Sequence, residues 1–252
     1  MKKSKIILLT CFFCITALQN ISCKGKKEIK KEPANDPKAA SESTVETEIM
    51  RPLYELAAEN GFKMGGAMGY QEIDIEKHKN MLKEDFNSVT FTNEHKAYSL
   101  LDWGVRQKNG MVALNFTKAD KLMDFAQSAG LKVRGHTLVW DAYMTEWFFY
   151  EDYKNKTFAS KEVILKRLKN YIEQVIVHFE TKYPGVIYAW DVVNEAVGDG
   201  GDFKSDDKSH IRTTRSGTKN LFYETIGRDY VKYAFKYAYD CVKENGYDIT
   251  LF

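Results

Sequence analysis

The stretch Trp190-Asp191-Val192-Val193-Asn194-Glu195 decides how this chain reads. It closes an apolar run that begins at Val186, just after Pro184-Gly185 has stopped a helix. A short apolar run of this kind, bounded by Pro and Gly, reads as a buried strand. The strand ends in an amide and a carboxylic acid side by side. A core would not choose those groups, so the strand delivers them to a mouth.

The same layout recurs upstream. Phe62-Lys63-Met64-Gly65-Gly66-Ala67 reads as a first strand, with Gly where backbone approaches closely. Ile75, His78 and Leu82 recur at helical spacing up to Asp85, and Ser88-Val89-Thr90-Phe91 is a second strand. Ala119, Leu122, Ala126 and Ala129 mark a helix closed by Gly130. Residues 132–140 form a third strand. Ser160 caps a long helix with Ile164, Leu168, Ile172, Val175 and Phe179 on one face. Beyond the fourth strand, residues 186–193, a helix carries Val231, Phe235, Ala238 and Val242 to Gly246. Ile249-Thr250-Leu251-Phe252 then starts a fifth strand.

Strand and helix alternate four times and a strand follows. That order implies a parallel sheet with right-handed crossovers. A (β/α)8 TIM barrel and a doubly wound sheet both fit it. The barrel is favoured because the chemically rich residues lie at the C-terminal ends of successive strands. No GxGxxG follows the first strand, and Gly65-Gly66-Ala67-Met68-Gly69 is a poor substitute for that phosphate loop. The expected fold class is therefore α/β, an incomplete (β/α)8 TIM barrel of about four βα units plus a fifth strand. Eight units at the same average length would run well past Phe252.

Three strand ends carry the chemistry: Thr92-Asn93-Glu94-His95-Lys96, then His136 with Trp140-Asp141, then Asn194-Glu195. Together they offer amide, imidazole, ammonium, indole and carboxyl groups. Sugar hydroxyls take such polar partners, and an indole supplies a floor for a sugar ring. Glycosidic cleavage needs two carboxylates, and Glu195 is a candidate for one. His136, Asp141 and Glu195 also invite a metal reading, but no HxH or HExxH spacing supports it. We expect no metal and no cofactor.

Composition agrees with a neutral substrate. The 252 residues are 44% hydrophobic and 13% aromatic, enough for one sizeable core. The net charge of +2 is local: residues 1–51 hold 10 Lys/Arg against 6 Asp/Glu, and residues 52–252 hold 27 against 29. The folded part has no basic excess for nucleic acid.

The N-terminus reads as an export signal. Lys2, Lys3 and Lys5 precede an apolar stretch at residues 6–18, shorter than the ~20 residues needed to span a bilayer. Ile21-Ser22-Cys23 resembles a bacterial lipobox, with Asn20 where Leu is usual. Residues 1–23 are then a signal peptide with lipidation at Cys23; ordinary cleavage near Ser22 is the alternative. Cys11 and Cys14 lie within the apolar signal, which leaves no internal disulfide after processing. Residues 24–51 are rich in Lys, Glu, Ser, Ala and Pro and read as a disordered tether. Residues 52–252 are the folded part. The expected location is the cell envelope or surface, as an exported lipoprotein anchored to the membrane, or else secreted.

Gly135-His136-Thr137-Leu138-Val139-Trp140, Glu146-Trp147-Phe148-Phe149 and Trp190-Asp191-Val192-Val193-Asn194-Glu195-Ala196 stand in order at intervals that resemble glycoside hydrolase family 10. Phe86-Asn87-Ser88-Val89-Thr90 and Asn93-Glu94-His95-Lys96 resemble that family's second-strand motif. The resemblance runs from about Leu53 to the end. It implies a retaining endo-1,4-β-xylanase on a (β/α)8 barrel, acting on xylan or xylo-oligosaccharides. It assigns Glu195 as acid/base and Asn194 to the sugar 2-hydroxyl. Lys96, His136 and Asn93 become contacts to the same sugar, and Trp140 becomes part of the wall. Trp147, Phe148 and Phe149 are expected to pack a loop.

This chain departs from the pattern at Thr92, where the family often has Glu, at Asp141, where it often has His, and at His95, which replaces a usual Met. The resemblance also puts the nucleophilic Glu on a seventh strand, and no Glu of these residues matches it. The 252 residues are thus expected to be a fragment, poorly stable and inactive alone. A non-catalytic cell-surface glycan-binding lipoprotein and another (β/α)8 glycosidase, such as a cellulase, are the competing readings.

Overall fold

The computed structural model describes residues 50–252. The expected signal peptide with Cys23, and the tether apart from Met50 and Arg51, lie outside these residues. In chain order the elements are α1 (Leu53–Glu59), β1 (Gly65–Met68), α2 (Glu76–Asp85), β2 (Ser88–Phe91) and α3 (Ala97–Leu100). A hairpin of β3 (Leu101–Arg106) and β4 (Val112–Leu114) follows, then α4 (Thr117–Ser128), β5 (Lys132–Val139) and α5 (Lys161–Lys182). The remainder is β6 (Ile187–Val193), a small hairpin of β7 (Thr214–Arg215) and β8 (Thr218–Lys219), α6 (Leu221–Ile226), α7 (Tyr230–Asn245) and β9 (Thr250–Leu251).

Five strands form one sheet in the order β1-β2-β5-β6-β9, with every pair parallel. Spatial order equals chain order, as in the wall of a barrel and unlike a doubly wound sheet, whose order reverses. The two hairpins stand apart as separate two-stranded sheets.

The expected elements form where the pattern put them, for local reasons. The Ser160 hydroxyl accepts the Val163 N–H at 3.4 Å and starts α5. Its apolar face, Ile164, Leu168, Ile172, Val175 and Phe179, is fully buried. Gly246, at φ 69°, ends α7. The first strand begins later than expected, at Gly65. Phe62 is exposed, and the Met64 N–H is bound by the Asn87 side-chain oxygen at 3.0 Å instead of by a strand partner.

Two glycines set how closely the layers approach. A Cβ on Gly66 would come within 2.4 Å of the Leu82 side chain on α2. A Cβ on Gly135 would come within 2.3 Å of the Trp190 ring. Gly135 and Trp190 are register partners on β5 and β6, so the indole lies across its neighbour strand. Trp190 is fully buried, in van der Waals range of Phe179 and His95.

Candidate active site

The register of β5 against β6 builds the site. His136 stands opposite Asp191 and Val139 opposite Val193. The Asn194 N–H still donates to the Val139 carbonyl at 2.9 Å, so the pairing reaches the strand tips. Trp140 and Glu195 follow directly, and the Trp140 Nε1–H donates to Glu195 Oε2 at 3.1 Å.

Glu195 adopts φ +50°, a left-handed conformation that costs a side-chain-bearing residue about 1–2 kcal/mol. The loop that follows holds it there. Arg212 is buried and donates to the Glu195 carbonyl at 3.1 Å and the Val197 carbonyl at 3.0 Å, while pairing with Asp202 at 2.5 Å. Arg215, on β7, places Nη1 2.6 Å from Glu195 Oε2 and binds Asp141 through Nε at 3.1 Å and Nη2 at 2.8 Å. The Asp141 carboxylate raises the pKa of that guanidinium further, so Arg215 is a fixed cation. Both donors to Glu195 converge on Oε2; among the described residues no hydrogen bond is made to Oε1.

The second strand end supplies a cation. Lys96 is buried, its Nζ donates to Asn93 Oδ1 at 3.0 Å, and it lies over the rings of Tyr143 at 4.2 Å and Trp140 at 5.1 Å. Burial lowers its pKa, against the opposing pull of Glu94. Glu94 itself is a loop clamp: one oxygen accepts the Tyr70 N–H and the other the Asn93 N–H.

The third group is oriented from beneath. His136 Nδ1 is 2.8 Å from Asp191 Oδ2, and Arg134 donates twice to Oδ1. Burial works against the Asp191 carboxylate, but the bonds from His136 and Arg134 outweigh it and hold its pKa below the ordinary value. A neutral ring that donates through Nδ1 presents Nε2 as an acceptor. The ring edge meets Trp140 at 5.8 Å.

Glu195, Trp140, Lys96, Asn93 and His136 are thus linked in one cluster, with Asn194 half-buried beside Glu195. His95 does not belong to it. The strand-end reading grouped it with the polar residues of the cleft, yet its ring is fully buried among Phe91, Phe179 and Trp190. It fills the apolar place where Met was the expected residue. Phe148 and Phe149 are buried, as a loop-packing role requires. Arg212 and Arg215 escaped the sequence reading because they sit in an irregular polar loop. The available signal was Ser216-Gly217 between short polar runs, a hairpin turn with φ 48° and 82°.

The sequence profile of glycosyl hydrolase family 10 matches residues 52–247. The chain belongs to that family. Endo-1,4-beta-xylanase B of Butyrivibrio fibrisolvens is 38% identical over 188 residues, 72% of this chain and 27% of that protein. Endo-1,4-beta-xylanase A of Thermotoga maritima is 36% identical over 210 residues, 81% of this chain and 18% of that protein. Among solved structures, the CBM22-1–GH10 modules of Clostridium thermocellum xylanase 10B, in complex with xylohexaose, superpose with a TM-score of 0.70 at 26% identity. That match covers 79% of this chain and 39% of the other. The intracellular xylanase of Thermoanaerobacterium saccharolyticum, as a mutant with xylotriose, gives 0.64 at 28% identity, covering 81% and 56%. This family-10 chain therefore spans 18–27% of these two curated relatives and 39–56% of these two solved chains. Its five-stranded parallel sheet is the corresponding part of the family's (β/α)8 barrel.

Proposed function

We propose that this family-10 chain carries the acid/base side of a retaining endo-1,4-β-xylanase site. The observation that supports it is the position of Glu195 at the tip of β6, bonded to Trp140 and followed around the mouth by Lys96, Asn93 and His136. In a double displacement one carboxylate attacks the anomeric carbon while a second protonates the leaving oxygen, then takes a proton from the incoming water. Glu195 suits the second role. Trp140 and Arg215 fix Oε2, which leaves Oε1 to carry the proton towards a glycosidic oxygen. Lys96, Asn93, His136 and Asn194 hold hydroxyls of the sugar on the other side of that bond, and Trp140 walls it.

The nucleophile is a separate matter. Arg215 bridges Asp141 and Glu195 and takes both Asp141 oxygens. A carboxylate held in that way is not free to attack. We assign the nucleophile to no residue of this chain.

The deciding experiment uses a form of the protein that cleaves xylan, with Glu195→Gln. Loss of the acid should slow xylan hydrolysis by about 10²–10⁴-fold. Formation of the glycosyl-enzyme from an aryl xylobioside with a good leaving group, which needs no protonation, should be largely spared. Equal loss on both substrates would overturn the acid/base role. Export and anchoring through Cys23 belong to the same proposal, resting on the lipobox-like Ile21-Ser22-Cys23. Cys23→Ala should move the protein from the membrane to the soluble fraction; unchanged fractionation would count against lipidation.

A further inference from the structure

Beyond Lys96 the mouth continues into two aromatic side chains that the acid/base cluster does not use. Tyr98, on α3, is 41% exposed, and Trp103, on β3, is 56% exposed. Aromatic residues bury large apolar areas, and a chain gains nothing in stability by leaving two of them in water at one rim. Both line a hollow of about 560 Å³, together with Glu94, Asp102, Asn115 and Lys118.

Ring contacts tie one wall of the hollow to the cluster around Glu195. The ring of Tyr98 lies 5.3 Å from that of Tyr143, and Tyr143 lies 4.5 Å from Trp140. A row of rings thus leads from the indole that binds Glu195, past the Lys96 ammonium, to the rim that Trp103 completes.

The hairpin bearing Trp103 is held in place. Arg106 donates to the Trp103 carbonyl at 2.8 Å, and its guanidinium lies over the rings of Tyr153 at 4.1 Å and Trp147 at 5.4 Å. The Tyr153 hydroxyl donates to the Gly110 carbonyl at 3.2 Å, and the Gln107 amide donates to Asn170 at 3.0 Å. The indole is exposed on an anchored support, which lowers the entropy cost of stacking a ligand on it.

Polar groups beside the rings retain unused capacity. Among the described residues, Asp102 Oδ1 accepts the Gly104 N–H, which leaves Oδ2, and Asn115 Oδ1 accepts the Thr117 N–H, which leaves its NH₂ donor. A flat apolar face flanked by an acceptor, an amide donor and an ammonium matches a pyranose ring with its hydroxyls.

We infer that Tyr98 and Trp103 form a distal sugar station. It takes a further ring of the same β-1,4-linked polysaccharide, on the side of the cleft away from the leaving sugar. The inference rests on the xylan-binding reading above. It makes chain length a determinant of affinity: a short oligosaccharide fills only the cluster near Glu195, and a longer one reaches the hairpin.

Calorimetric titration of the full chain with xylobiose and xylohexaose tests this. Trp103→Ala and Tyr98→Ala should each weaken xylohexaose binding about five- to tenfold and leave xylobiose binding unchanged. Trp103→Phe, which keeps a flat ring, should restore most of the loss. Trp140→Ala should weaken both ligands. If Trp140→Ala weakens xylohexaose while both rim variants bind it normally, the distal station is overturned and the xylan reading stands. If the parent chain binds neither ligand, the xylan reading falls and this inference with it. If the rim variants lose xylobiose equally, the residues act on the cluster near Glu195 and the station is again overturned.

Discussion

His95 sits where a neutral side chain belongs. Its ring is enclosed by Phe91, Phe179 and Trp190, and among the described residues neither nitrogen has a partner. Burial, with some help from His136, pushes its pKa down to about 3. In the unfolded chain the ring titrates near 6.5. Between those values the unfolded state binds the extra proton, so stability is greatest above about pH 6.5 and is lost as pH falls towards 3. His95→Met fills similar volume without a titrating group. The urea midpoint of the parent should fall between pH 7 and pH 4.5 by clearly more than that of the variant; equal falls would refute this account. Asp191 makes a second test at this scale. Asp191→Asn weakens the acceptor that fixes His136 and strands the charge of Arg134. Xylobiose affinity should drop about tenfold as the imidazole loses its oriented partner; unchanged affinity would show that Asp191 does not position His136.

At the scale of elements, the contact between β5 and β6 is the joint on which the site depends. Gly135→Ala drives a methyl group into the Trp190 ring. Overpacking of this kind costs about 1–3 kcal/mol, and here it also pushes apart the two strands that bring Trp140 to Glu195. Equilibrium unfolding should show that loss of stability, while Gly130→Ser, which meets no atom within 4 Å, acts only through its φ of +70° and should cost less. The sequence disclosed the five strands and the long helices because their apolar periodicity is set by burial: Val89, Val133 and Val192 are wholly enclosed. The two hairpins carry no such signal. Residues 103–105 on β3 are exposed, so nothing forces their pattern, and β7–β8 spans only two residues on each side of its turn. That is why Asn93, Lys96, His136, Trp140, Asn194 and Glu195 were legible as strand ends, whereas Arg212, Arg215 and Trp103 were not.

For the molecule as a whole, the described sheet has two outer strands, β1 and β9, each paired on one side only. Parallel sheets are ordinarily covered on both faces and closed or flanked at their edges. A protein consisting of residues 1–252 should therefore associate with itself as concentration rises, and sedimentation velocity should show the weight-average coefficient climbing in the micromolar range; a constant monomer value would contradict this. The same geometry separates binding from turnover. Lys96, Asn93, His136 and Trp140 form their contacts among the described residues, so the proposed binding of xylo-oligosaccharides should need no further strand. Retaining hydrolysis needs a second carboxylate about 5–5.5 Å from Glu195, and Asp141 is committed to Arg215 by both oxygens. Purified residues 1–252 should bind xylohexaose yet release no reducing sugar from xylan. Measurable release that disappears in Glu195→Gln would show that this chain supplies a nucleophile of its own. Arg215→Ala, which frees Asp141 while leaving Trp140 on Glu195, would then identify Asp141 as that nucleophile if it raised the rate.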